Sequence, residues 1–189
     1  MPTSTTVSHA REPLDDWSHR AADIPDRGLD AERSATPEEL VALAAALELA
    51  VLARLNVSYR IRPVGGGRHK VKGELFADVT QACIVTLQPV HADIHEVFEE
   101  EFWPEDQLPD LRSEGDAEER AALADSAPEA IRQGLIEVGR LIYEQLSTAI
   151  DPYPRSPGAE FAWRDPGAEE GDGARDNPFA SLAVLKNKA

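Results

Sequence analysis

The chain has 189 residues, 42% of them hydrophobic, and a formal net charge of −16. A field of that sign repels phosphate, so this is not a protein that coats nucleic acid by overall charge, and no DNA partner is expected. No stretch approaches the ~18 apolar residues that a membrane-spanning helix needs, so no membrane partner is expected either. MPTSTTVSHAREPLDD shows no charged start followed by an apolar run, so no secretory signal is read there, and a single cysteine forms no internal disulfide. These features predict a cytoplasmic protein, and the length suits one domain with tails or at most two small ones.

Residues 1–35 are polar, with scattered apolar anchors at Leu14, Trp17, Ile24 and Leu29. They read as a loosely attached segment with room for a strand around Leu14 to Arg20. Thr36-Pro37-Glu38-Glu39 then offers a cap, a proline at the first helical position and a glutamate to close a capping box. A helix of about 18 residues is predicted there, and its apolar positions between Leu40 and Leu55 span more than one stripe, which predicts substantial burial.

Strand periodicity follows. Val57, Tyr59 and Ile61 alternate with Ser58, Arg60 and Arg62, and Gly65-Gly66-Gly67 supplies a turn. From His69 onward the apolar side chains Val71, Leu75, Ala77, Val79, Cys83, Val85 and Leu87 share odd parity. That run exceeds the ~5–6 residues of an average strand, so a bend or bulge is expected near Val79 to Gln81. The even positions Val90, Ala92, Ile94, Phe98 and Phe102 repeat the pattern. An acidic linker over 104–127 is predicted to be mobile. Leu135, Val138, Leu141, Ile142, Leu146 and Ile150 have helical spacing, which Asp151-Pro152 stops. Residues 153–177 read as disordered, and 178–186 as a short helix that docks on the core. The fold class is therefore α+β: an antiparallel multi-stranded sheet or partly open barrel packed with two main helices. It forms a single domain over 36–155, with a flexible C-terminal tail over 156–189.

Three features bear on chemistry. Cys83 shares the parity of Val79 and Val85, which makes it a small core residue whose thiol should be inert, with a raised pKa. His91, Asp93 and His95 lie on one face of their strand, a spacing that suits a metal ion, although no further ligand is identifiable; the plainer reading is the wet face of an amphipathic strand. Arg54, Arg60, Arg62, Arg68, Lys70 and Lys72 run together with no acid before Glu74. Arg60, Arg62, Arg68, Lys70 and Lys72 are the candidates to hold RNA phosphate or another partner, with Tyr59 or the glycine turn approaching the RNA. The alternative is a solvated face that balances the acids in cis. The glycine triplet is no phosphate loop, since it lacks the lysine and the helix that follow in one. No catalytic motif rises above chance, and no cofactor is implied.

VKGELFADVTQACIVTLQPVHADIHEVFEEEF at 71–102, IEVGRLIYEQLSTAIDPYPR at 136–155 and NPFASLAVLK at 177–186 together resemble the bacterial YceD-like family. That family is named for accumulation of the large ribosomal RNA subunit. TPEELVALAAALEL at 36–49 is similar to its proteobacterial branch. Many members carry C-x-x-C at the QACIVT position and some carry further cysteines after the second helix. Here Cys83 matches the first position and Thr86 replaces the second, so a thiolate metal site is not expected. The resemblance implies a non-enzymatic role in synthesis, processing or stability of large-subunit rRNA. Two routes fit the charge map: the basic run binds rRNA, or the acidic linker binds a basic ribosomal protein. A small metal-dependent enzyme using His91, Asp93 and His95 is the reading from a different class.

Overall fold

The computed structural model describes residues 13–109 and 127–160. Their element order is β1 (Ser18–Arg20), β2 (Leu29–Ser34), α1 (Pro37–Ala46), β3 (Val51–Gly65), β4 (Arg68–Ala82), β5 (Pro89–Pro104), β6 (Glu129–Ile131), β7 (Leu135–Glu137) and α2 (Val138–Ala149). The fold is α+β. Five strands form one sheet in the order β2-β3-β4-β5-β6, which ends at β2 and β6 and does not close into a barrel, and β1 pairs with β7 in a small second sheet. All pairings are antiparallel except β5 with β6.

Alternation places one face of the large sheet in the core. Val57, Tyr59 and Ile61 of β3, Val71, Leu75 and Val79 of β4, and Ile94, Phe98 and Phe102 of β5 are buried there. Leu43 of α1 and Val138, Leu141, Ile142 and Leu146 of α2 join the same cluster. Each such aliphatic side chain contributes about 1.5–3 kcal/mol when taken fully out of water. Gly139 opens α2 where residue 14 crosses it: a Cβ there would stand 2.0 Å from the Leu14 carbonyl oxygen. Only glycine permits that approach.

Several expectations need correcting. The capping box forms as read, with Glu39 N–H donating to Thr36 Oγ1 and Thr36 N–H to Glu39 Oε2, but α1 ends at Ala46. Glu48 takes a positive φ of 54°, and the chain turns into β3 at Val51, because Val51 to Leu55 pair with β4. Of the residues in α1 only Leu43 is buried, and Val41 is 72% exposed. The bulge expected near Val79 to Gln81 is not in β4, which pairs with β5 residue by residue from His69 to Ala82. The irregularities lie in β3 instead, between Leu52 and Arg54 and between Pro63 and Gly65. The first inserts Ala53 as an extra residue, and that switch of parity lets Leu52 face inward along with Leu55 and Val57.

The segment preceding α1 is not loosely attached over its described part. Leu14 and Trp17 are almost fully buried, Trp17 Nε1 donates to Glu39, and β2 pairs along β3. Scattered apolar anchors were enough because each enters a core built by other segments. Residues 154–156, expected to be disordered, are held against the β4–β5 turn: Ile84 N–H donates to the Pro154 carbonyl. The readings for 1–12, for 110–126 of the acidic linker and for the docking helix at 178–186 lie outside the described residues.

Candidate functional site

The basic run occupies the β3–β4 hairpin, and its register decides what it can do. Arg60 stands opposite Lys72, and Arg62 opposite Lys70. Like charges directly opposed across a ladder destabilise it unless something neutralises them. The flanking strands supply that neutralisation. Asp30 of β2 lies opposite Arg60, and Glu99 and Glu101 of β5 lie opposite Lys72 and Lys70.

The side chains follow the register. Arg60 Nη1 donates to both carboxylate oxygens of Asp30, at 2.7 and 2.6 Å, and Nη2 to the Arg27 carbonyl. Lys70 Nζ lies 2.7 Å from Glu99 and 3.8 Å from Glu101, and Lys72 Nζ lies 3.2 Å from Glu99. Hydrogen bonds from Lys70 and Lys72 hold the Glu99 carboxyl below its usual range. Arg54 is forked onto Asp78 at 2.9 and 3.0 Å. The Arg68 guanidinium carbon lies over the Trp103 ring, 3.7 Å from its centroid, and Arg68 donates to Gln107, which in turn holds the Gly66 carbonyl. Of the five candidates, Arg62 alone has neither an ion pair nor a ring contact among the described residues.

Two further parts of the expected RNA surface are turned inward. Tyr59 is buried with its hydroxyl 2.8 Å from His19 Nε2, so its ring is unavailable for stacking. His69, which falls within the same basic run, is 6% exposed, and burial lowers its pKa.

His91, Asp93 and His95 do share the outer face of β5, but each is drawn to its own neighbour in β4. His91 Nδ1 is 2.8 Å from Thr80 Oγ1. His95 Nε2 is 3.1 Å from Glu74 and its ring stacks on Phe76 at 4.3 Å. Asp93 lies opposite Asp78 beside Arg54. Among the described residues no three His, Cys, Asp or Glu side chains are grouped to hold a metal ion.

Cys83 also departs from its reading. β4 ends at Ala82, so Cys83 belongs to the turn rather than to the strand face. It is fully buried, yet its Sγ accepts hydrogen bonds from the Ser156 hydroxyl, the Ser156 N–H and the Thr86 N–H at 3.3–3.4 Å. The Ser156 hydroxyl, followed by the Thr86 contacts, lowers the thiol pKa to about 6, against the opposing effect of burial. Donors to sulfur outweigh desolvation here, which parity alone does not reveal.

The class of protein is thus an open-sheet α+β domain whose outer face is internally ion-paired. The family whose model matches residues 71–186, well over half of the chain, is described as large ribosomal RNA subunit accumulation protein YceD. The chain belongs to the YceD family, whose name supports a role in ribosome biogenesis. No curated protein and no solved structure matches it. No helix among the described residues is long and apolar enough to cross a membrane.

Proposed function

We propose that this protein supports accumulation of large-subunit rRNA in the cytoplasm by binding a basic ribosomal protein through its acidic surface, without catalysis. One observation carries the choice between the two routes. The cations that were candidates for phosphate, Arg60, Lys70 and Lys72, are already engaged by Asp30, Glu99 and Glu101. A phosphate would have to compete with those carboxylates, and the net charge of −16 opposes its approach. A Lys- or Arg-rich protein meets the opposite balance and is steered in.

Affinity purification of the full chain from cells, with nuclease treatment before elution, tests the reading. Basic large-subunit proteins should remain bound after the RNA is digested. Retention of large-subunit rRNA, with every ribosomal protein lost on digestion, would contradict it and favour direct rRNA binding through Arg60, Arg62, Arg68, Lys70 and Lys72.

A further inference from the structure

β5 is the longest strand of the sheet, with sixteen residues, yet β6 covers only Phe102, Trp103 and Pro104. Among the described residues no backbone pairs with the same edge from Pro89 to Glu101. The Glu101 N–H is taken by the Glu100 carboxylate at 3.1 Å; at ~3.3 Å per residue the rest of the span is about 40 Å of strand edge with no backbone partner among the described residues. Sheets usually blunt such an edge because it is a template for another strand.

Charge is the blunting device here, and it is of one sign. β5 carries Asp93, Glu96, Glu99, Glu100 and Glu101 with no lysine or arginine. Lys70 and Lys72 reach Glu99 and Glu101 across the outer face. They do not reach the other side of the strand. Glu96 is exposed there, and none of the ion pairs among the described residues includes it. Glu100 is half-buried, and burial together with Glu129, Glu101 and Glu144 raises its pKa. The nearby Arg140 donates to Glu144 at 2.9 Å. Two copies of this edge would repel each other, whereas a cationic strand would find backbone unpaired among the described residues and two carboxylates, Glu96 and Glu100, with no ion-pair partner there.

We infer that the open edge of β5, from Pro89 to Glu101, is a strand-addition site for an extended Lys- or Arg-rich segment of a partner protein. The inference rests on the basic-protein reading above and names how that partner is held. Main-chain hydrogen bonds supply affinity, and Glu96 and Glu100 select positive charge.

The test uses the full chain and a peptide of about twelve residues alternating Lys and Val, matched to the edge length. The same peptide with alternate amides N-methylated keeps its charge but cannot form a ladder. The unmodified peptide should bind and slow hydrogen exchange at β5 amides. N-methylation should weaken binding about tenfold or more, the effect of losing even one or two net hydrogen bonds. Glu96→Lys with Glu100→Lys should weaken binding of the unmodified peptide. Equal binding of both peptides, or β5 amides already fully protected in the free chain, would overturn strand addition. An intact basic large-subunit protein serves as the control. If it binds while the unmodified peptide does not, the edge inference fails alone; if it does not bind either, the basic-protein reading fails with it.

Discussion

Two charged regions of the same sheet differ in how their charges are answered. On the β3–β4 hairpin, Arg60, Lys70 and Lys72 meet Asp30, Glu99 and Glu101 within the sheet at 2.6–3.8 Å. Along the free edge of β5, Glu96 faces solvent and Glu100 faces other carboxylates. A run of like charge in sequence therefore says little about binding until the cross-strand partners are known. The basic run is conspicuous in sequence and mostly spent; Glu96 and Glu100 of β5 look like ordinary surface and retain their attraction.

That contrast depends on the sheet holding its register, so the largest effects should come from the core beneath both regions. Phe102 is buried where β5 meets β6. Phe102→Ala should cost about 3–5 kcal/mol in urea unfolding, whereas Arg62→Gln on the outer face should stay within about 0.5 kcal/mol. Equal costs would mean that the faces are assigned wrongly. Gly139→Ala should cost about 1–3 kcal/mol, because the added methyl meets the Leu14 carbonyl.

Uncovering the hairpin cations sharpens the comparison further. Asp30→Asn combined with Glu99→Gln removes the closest partners of Arg60, Lys70 and Lys72. The double variant should retain single-stranded RNA on filters at low salt, more than the unaltered chain does, and release it steeply as salt rises. If the unaltered chain binds as tightly as the variant, in-sheet neutralisation does not govern the hairpin.

A further effect, confined to a pH window, concerns Cys83. A thiol depressed to about 6 from its ordinary 9.0 is ionised in the folded chain while still protonated in the unfolded one. Its contribution to stability therefore grows as pH rises from about 6 towards 9 and is lost as pH falls through 6. Cys83→Ala should flatten that part of the stability profile, measured by denaturant midpoints at several pH values. An unchanged slope would show that the Ser156 and Thr86 donors do not hold a thiolate.

The α+β class, the helix N-terminus at Thr36 and the buried faces of β4 and much of β5 were legible in the sequence, because period-2 alternation and a capping box are local signals. The end of α1 was not, since Val51 to Leu55 suit a helix as well as a strand until β4 is present to pair with them. The N-terminal segment was misread because Leu14 and Trp17 are buried by contacts distant in sequence. The acids that answer the hairpin cations became visible only through register: odd positions of β5 stand on the outer face opposite Lys70 and Lys72. Ser156 beside Cys83, 73 residues away, carried no signal in sequence.

The central claim is that Glu96 and Glu100 of β5, rather than the hairpin cations, are the working surface. The most direct measurement is the level of large-subunit rRNA in cells lacking the protein and supplied with one of two variants, each first shown to keep the unaltered unfolding midpoint. The variant in which Arg60, Arg62, Lys70 and Lys72 are all replaced by Gln should restore the rRNA, and the variant carrying Glu96→Lys and Glu100→Lys should not. Restoration by the β5 variant, with failure of the four-Gln variant, would contradict the account and return the function to direct contact with rRNA.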